Sequence, residues 1–363
     1  MIITRTPYRI SFFGGGTDYP AWYREHGGAV LATSIDKYAY LTCRYLPPFF
    51  EYKYRVVWSR IENTSDVDEI VHPAVRRVIK YLKIDRNIEV HHQGDLPARS
   101  GMGSSSSFTV GLLHALYALQ GQMPGKRRLA EESIVIEQDV IKENVGSQDQ
   151  VSAAFGGLNR IDFLPNGAFV ITPITIPRER LDELQSHLML FYTGIARTAA
   201  DVAETYTKEI DKRQHQLRML RDMVDEGVAI LSSGVSITRF GELLHESWEA
   251  KRSLSGQVSN SEVDGLYQAA RSAGAIGGKL MGAGGGGFMV LFVPPAKQAA
   301  VRETFAKLLH VPFSLEFSGS HIVFCDHELD YSHVERDRDT RPVQAFRELD
   351  LSTPAGSKDG RKR

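Results

Sequence analysis

The 363-residue chain carries 32 glycines, and they are not spread evenly. They concentrate at three places: Gly14-Gly15-Gly16, the pair Gly101 and Gly103, and the run from Gly277 to Gly287. Glycine is entropically costly in regular structure, so clusters of it mark positive φ or close backbone approach. Any fold for this chain must accommodate three such places.

The segments between the clusters alternate irregularly. Residues 1–13, 29–46, 54–58 and 87–92 are β-branched and aromatic and read as strands. Helical spacing is seen over 73–82, 108–120, 127–143 and 148–155, with Ser147 as a candidate N-cap for the last. In the second half, strands are predicted at 188–192, 288–293, 314–317 and 321–325. Helices are predicted over 198–231, 238–252, 263–274 and 296–309. Strands and helices mixed in this way favour an α+β fold over a doubly wound parallel sheet. At about 100–200 residues per domain, two domains are expected. We place them at 1–183 and 184–330, followed by a charged tail, 331–363, with a disordered end.

Composition narrows the function. Forty-three basic residues against 44 acidic ones leave a formal charge of −1, so nothing suggests a nucleic-acid partner. Cys43 and Cys325 stand far apart and outside any C-x-x-C, which fits a reducing cytoplasm and implies neither a disulfide framework nor a zinc site. The N-terminus lacks a signal-peptide pattern, and apolar runs such as Phe288–Val293 fall far short of the ~18 residues of a membrane span.

The strongest local feature is Pro97-Ala-Arg-Ser-Gly101-Met-Gly103-Ser-Ser-Ser-Ser107, set between a strand and an apolar helix. Glycines let a backbone pass close to an anion, and a helix N-terminus aims free N–H groups at it. The serines add donors and can ligate Mg²⁺. A Gly/Ser linker or a plain helix start would also use this composition. Gly282 to Gly287 satisfies G-x-G-x-x-G, but a strand follows it where a dinucleotide site needs a helix, so that reading fails. Arg9 and Asp18 flank the first glycine turn, as they would in a solvated hairpin. Asp149 opens a helix, a common dipole-favoured position. Glu137 would by default be a surface charge.

Three segments in order resemble the GHMP kinases. They are Thr6-Pro-Tyr-Arg-Ile-Ser-Phe-Phe-Gly-Gly-Gly-Thr-Asp18, Pro97 to Ser107, and Gly277-Gly-Lys-Leu-Met-Gly-Ala-Gly-Gly-Gly-Gly-Phe288. The second is similar to the family's P-x-x-x-G-L-G-S-S-A-A, with Met102 for Leu and Ser106-Ser107 for Ala-Ala. Within the family, Gly14-Gly-Gly-Thr-Asp18 and Gly146-Ser-Gln-Asp149-Gln look like the D-glycero-D-manno-heptose 7-phosphate kinases. The sugar-1-kinase part of fucokinases is similar, whereas galactokinases carry G-E-H-T-D at the first motif.

The resemblance implies a ribosomal-protein-S5-like N-terminal domain, a ferredoxin-like C-terminal domain and an active site between them, using ATP and Mg²⁺. Carried over residue by residue, it implies that Gly101, Met102, Gly103, Ser104, Ser105 and Ser106 hold the nucleotide. Ser104, Ser105 and Glu137 would hold the metal. Asp149 and Arg9 would be catalytic. Gly15, Gly16, Thr17, Asp18, Gly284 and Gly285 would line the acceptor site. A sugar that already bears a phosphate needs a second cationic patch, for which Arg197 and Lys251 are candidates, although both would otherwise be solvated basic residues. The implied partner is a small-molecule sugar phosphate, with no membrane and a homodimer left open.

Overall fold

The computed structural model describes residues 1–195, 213–254, 258–282 and 284–326, plus positions 331, 333, 334, 336, 337 and 346. Arg197, the first part of the expected 198–231 helix and most of the tail lie outside the described residues.

The longest strands build the frame. β1 (Ile2–Phe13) and β2 (Gly28–Tyr45) pair antiparallel, from Ile2 opposite Cys43 to Phe13 opposite Leu31. β1 is buried along almost its whole length because helix α3 (Ser104–Leu119) lies across it and β2. That helix is apolar nearly all round, as a helix covered on several sides must be. It begins at Ser104 rather than Phe108, so the serine run is its first turn, and Gly103 caps it in a left-handed conformation (φ +78°).

Nine strands form the first sheet. Its main path is β13 (His321–Cys325), β1, β2, β5 (Ile88–Gly94), β3 (Tyr54–Val57) and β4 (Ile61–Thr64). β6 (Leu158–Phe163), which carries β7 (Phe169–Pro173), and β12 (Leu315–Glu316) also pair with β2 or its neighbours. The second sheet has the order β11 (Leu309–His310), β8 (Leu188–Tyr192), β10 (Phe288–Phe292), β9 (Gly277–Leu280). The α+β reading therefore holds. The position 183/184 falls inside a helix, α6 (Arg178–His187), which the sequence does not advertise between its polar composition and Pro177. The chain also returns: β12 and β13 leave the second half and complete the first sheet.

Two further departures from expectation bear on the site. The helix expected over 127–143 is α4 (Lys126–Val135) followed by a π-helical segment, Ile136–Ile141, closed by Lys142 at φ +66°. Such widened turns recur at functional sites. In α5 (Gln148–Phe155), the Ser147 hydroxyl does not cap the helix. It meets Gln138 Nε2 at 3.0 Å and the Tyr23 hydroxyl at 3.3 Å instead.

The remaining helices, α1 (Pro20–His26), α2 (Pro73–Tyr81), α7 (Gln214–Ser232), α8 (Thr238–Arg252), α9 (Ser261–Ser272) and α10 (Gln298–Thr304), cover the sheets. None of the described helices is long and apolar enough to cross a membrane. The halves meet through aromatic rings. Phe240 of α8 packs edge-on against Phe12 and Phe13 of β1, with centroids 5.3 and 5.0 Å away, and all three are fully buried.

The third glycine run forms a tight junction. It joins antiparallel β9 and β10 and lies against the 97–107 loop. A Cβ on Gly287 (φ +96°) would sit 2.2 Å from the Ser100 carbonyl oxygen, and one on Gly101 would sit 2.5 Å from that of Met281. The Phe288 amide donates to Ser100 O at 3.3 Å. Only glycine allows these backbones to touch.

Truncating Phe240 to Ala should cost about 3–5 kcal/mol, read from the urea midpoint. Gly287→Ala adds a methyl where none fits and strains the backbone. It should lower stability by at least about 1–3 kcal/mol, and an unchanged unfolding midpoint would show that the loops can separate freely.

Candidate active site

A cavity of about 480 Å³ opens where the glycine turns converge. β1 supplies Arg9 and Ser11, the first turn supplies Gly15, Gly16 and Asp18, and the 97–107 loop supplies Gly101, Gly103 and Ser104–Ser106. α5 contributes Gln148 and Asp149, α8 contributes Lys251, and β9 contributes Lys279.

Its centre is an ion pair. Arg9 Nε donates to Asp149 Oδ1 at 2.6 Å and Nη2 to Oδ2 at 2.7 Å, a bidentate fork. Arg9 Nη1 donates to the Gly101 carbonyl at 2.7 Å, which ties the pair to the loop. The Arg9 side chain is 5% exposed and that of Asp149 24%, so the carboxylate is the more open of the two at the cavity both line. Gly103 favours glycine beside them because its φ is +78°, and a Cβ there would also press on Arg9 Cγ and Asp149 Oδ2 at 3.3 Å.

Asp18 is held from the other side. Gly16 N donates to its Oδ1 at 2.9 Å and Gln148 N to its Oδ2 at 3.4 Å. Burial lifts its pKa above the ordinary carboxylate value, Asp149 adds to the rise, and the amide bonds oppose it. Gly146 lies so close that a Cβ would overlap Asp18 Oδ2. Asp18 and Asp149 thus face one space from opposite backbone supports, suited to bonding hydroxyl groups.

Glu137, on the π-helical segment, is fully buried behind the serine turn. Its Oε2 accepts from Ser106 Oγ at 2.8 Å and Gln150 Nε2 at 2.5 Å, while Oε1 has no partner. Burial pushes its pKa up to about 7, against the lowering effect of Thr109 and Ser106. A buried carboxylate with an orphaned oxygen, bonded to the Ser106 hydroxyl of the serine turn, suits a Mg²⁺ ion, which keeps waters and takes few protein ligands. The described residues contain no cluster of three carboxylate, His or Cys ligands.

The expected site residues divide into two groups. Arg9, Gly15, Gly16, Asp18, Gly101, Gly103, Ser104, Ser105, Ser106, Asp149 and Lys251 share the cavity wall. Thr17 instead donates to Gly14 O and Ala29 O and holds the turn. The Met102 side chain is buried in the core, and its carbonyl accepts from Arg9 N at 3.1 Å. Gly284 and Gly285 pack on Val258 rather than on the cavity.

Other wall residues went unnoticed in the sequence. Lys279 sits inside the third motif, and its Nζ donates to Phe12 O at 2.9 Å. Arg99 (φ +58°) and Lys142 are both at the cavity and both left-handed. Among described non-glycine residues only Lys83 shares that conformation, a signal no composition reveals.

Comparison with known proteins agrees with this geometry. Residues 69–157 match the GHMP kinases N terminal domain and residues 235–310 the GHMP kinases C terminal domain. A D-glycero-alpha-D-manno-heptose 7-phosphate kinase of Campylobacter jejuni is 29% identical over 320 residues, covering 82% of this chain and 91% of that protein. An L-fucokinase/L-fucose-1-P guanylyltransferase of Bacteroides fragilis is 26% identical over 340 residues, covering 82% of this chain and 35% of that protein. The crystal structure of a D-glycero-D-manno-heptose 1-phosphate kinase from Bacteroides thetaiotaomicron superposes with a TM-score of 0.74 at 23% identity. The match covers 90% of this chain and all of that one, and it shows a shared fold. With both matches in order and the 97–107 loop, ion pair and buried aspartate brought to one cleft, the chain carries the N- and C-terminal domains of the GHMP kinases, a family of ATP-dependent phosphotransferases.

Proposed function

We propose that the protein transfers the γ-phosphoryl group of ATP to the anomeric hydroxyl of D-glycero-D-manno-heptose 7-phosphate. The product is the 1,7-bisphosphate, a precursor for surface polysaccharide. The observation that carries the reading is the Arg9–Asp149 fork at the mouth of the glycine loop, facing Asp18 across one cavity. The similarity to a heptose 7-phosphate kinase over most of both chains supports the acceptor. A second reading, an L-fucose or other hexose 1-kinase, is favoured by the similarity to the fucokinase.

Phosphoryl transfer passes through a loose transition state, so the protein's work is positioning and charge stabilisation. Amides around Gly101–Gly103 and the first turn of α3 would cradle the phosphates. Glu137 with Ser104, Ser105 and Ser106 would hold Mg²⁺, which when bound neutralises charge on the β- and γ-phosphates. Asp18 would orient the sugar by its hydroxyls. Asp149 would align the anomeric O–H with the γ-phosphorus. As the new O–P bond forms and the bond to ADP breaks, Asp149 takes the proton late. Arg9 holds the Asp149 carboxylate in place by its bidentate fork and presents fixed positive charge to the transferring group.

Offering a panel of sugars and sugar phosphates with MgATP, following ADP, and locating the new phosphoester by phosphorus NMR tests the assignment. Turnover of free hexoses in preference to the heptose phosphate would sink it. Asp149→Asn should keep the fold and ATP binding while lowering kcat by about a hundredfold to ten-thousandfold. A near-normal rate would remove Asp149 from the mechanism. Arg9→Met should lower kcat by a smaller factor, and an unchanged kcat would rule out charge stabilisation by this guanidinium.

A further inference from the structure

Two lysines are buried in the wall of the cleft and have too few partners. Lys251 reaches it from α8 and Lys279 from β9, at 7% and 3% exposure. Each ammonium donates to one backbone carbonyl: Lys251 to Gly282 O, and Lys279 to Phe12 O at 2.9 Å. An ammonium has three N–H groups, so two on each lysine remain for the cavity both residues line. Neither forms an ion pair with a described carboxylate. Arg9 is already committed to Asp149, and Asp18 is bonded by the amides of Gly16 and Gln148.

Burying an ammonium without a counter-charge is costly, and a protein keeps such a group where a ligand completes it. The charged groups facing the pair are Arg9 from β1, Asp18 from the first turn and Asp149 from α5. If all five ionise, three cations meet two carboxylates and leave one positive charge unanswered. A phosphate monoester dianion more than offsets that charge and brings oxygens enough for the free donors.

We propose that Lys251 and Lys279 form a two-lysine subsite for a phosphate monoester dianion within the acceptor half of the cleft. The subsite rests on reading this cavity as the place where the acceptor binds. It adds Lys279, and it gives the cleft an anion requirement that a neutral sugar does not meet. The dianion has two available sources: a phosphate the acceptor already carries, or the group newly placed on the anomeric oxygen.

The electrostatics give the subsite a signature independent of turnover. Burial, reinforced by Arg9, lowers Lys251 to about 8, and burial, reinforced by Lys251, lowers Lys279 well below its ordinary value. A bound dianion favours the protonated form of both, so their pKa values rise and protons are taken up from solution on binding.

The test is calorimetric titration of the full chain without nucleotide at pH 8, where a phosphate monoester is already dianionic. Two buffers of different ionisation heat report the protons exchanged. The probes are inorganic phosphate, D-glycero-D-manno-heptose 7-phosphate, the dephosphorylated heptose and mannose 1-phosphate. Uptake of about one proton is expected with inorganic phosphate and none with the free heptose. Uptake with the 7-phosphate identifies the acceptor's own phosphate as the occupant, and uptake with mannose 1-phosphate alone identifies the transferred group. Lys279→Met and Lys251→Met should each weaken phosphate binding by about tenfold or more and reduce the uptake. Binding with no proton uptake, or affinity unchanged in both variants, overturns the subsite. The wild-type measurement stands even if a variant fails to fold. Failure of the sugar panel to yield a heptose bisphosphate would instead count against the proposed reaction alone.

Discussion

Everything in the cleft depends on two backbones touching. Ser100 and Gly101 of the 97–107 loop lie against Met281, Gly282 and Gly287 of the β9–β10 connection, closer than any side chain would allow. The contact fixes the loop relative to the second sheet. Arg9 then joins the loop to α5, because one guanidinium reaches both Gly101 O and the Asp149 carboxylate. A candidate site drawn from β1, a loop, a helix and a second sheet is therefore held without a disulfide; Cys43 and Cys325 are both free. Directional bonds and excluded volume do the positioning.

The charges are arranged by depth. Glu137, Asp18, Lys251 and Lys279 are all buried, and burial moves each toward its neutral form. Asp149 alone is both paired and open to the cavity. That contrast separates a carboxylate anchored by a cation from groups that burial shifts toward their neutral forms. In a low-dielectric site the arrival of phosphates changes the energetics of all of them together.

Much of this was legible in the chain. The glycine clusters marked the crossings, and the strand–loop–helix context of 97–107 pointed to the segment that lines the cavity, because both follow from local backbone requirements. Arg9, Asp18 and Asp149 were reachable only through the resemblance, since each has an ordinary structural use at its position. Lys279 was hidden inside a glycine motif, and its importance comes from a contact with Phe12 far away in sequence. The π-helical turn that points Glu137 inward leaves no mark on an otherwise amphipathic helix. Thr17, Gly284 and Gly285 sit in the right motifs but brace the turns rather than face the cavity, a distinction that only three-dimensional packing draws.

The return of β13 to the edge of β1 has a consequence for how the chain matures. On the ribosome, the strand that carries Arg9 emerges long before β13, and its outer edge stays open until the segment around Cys325 has been made. For most of synthesis that edge offers unpaired amides and carbonyls to any passing strand. Completion of the sheet and completion of the cleft are thus late events, and a nascent chain stalled before β13 would be exposed to misassembly rather than stored as a finished half.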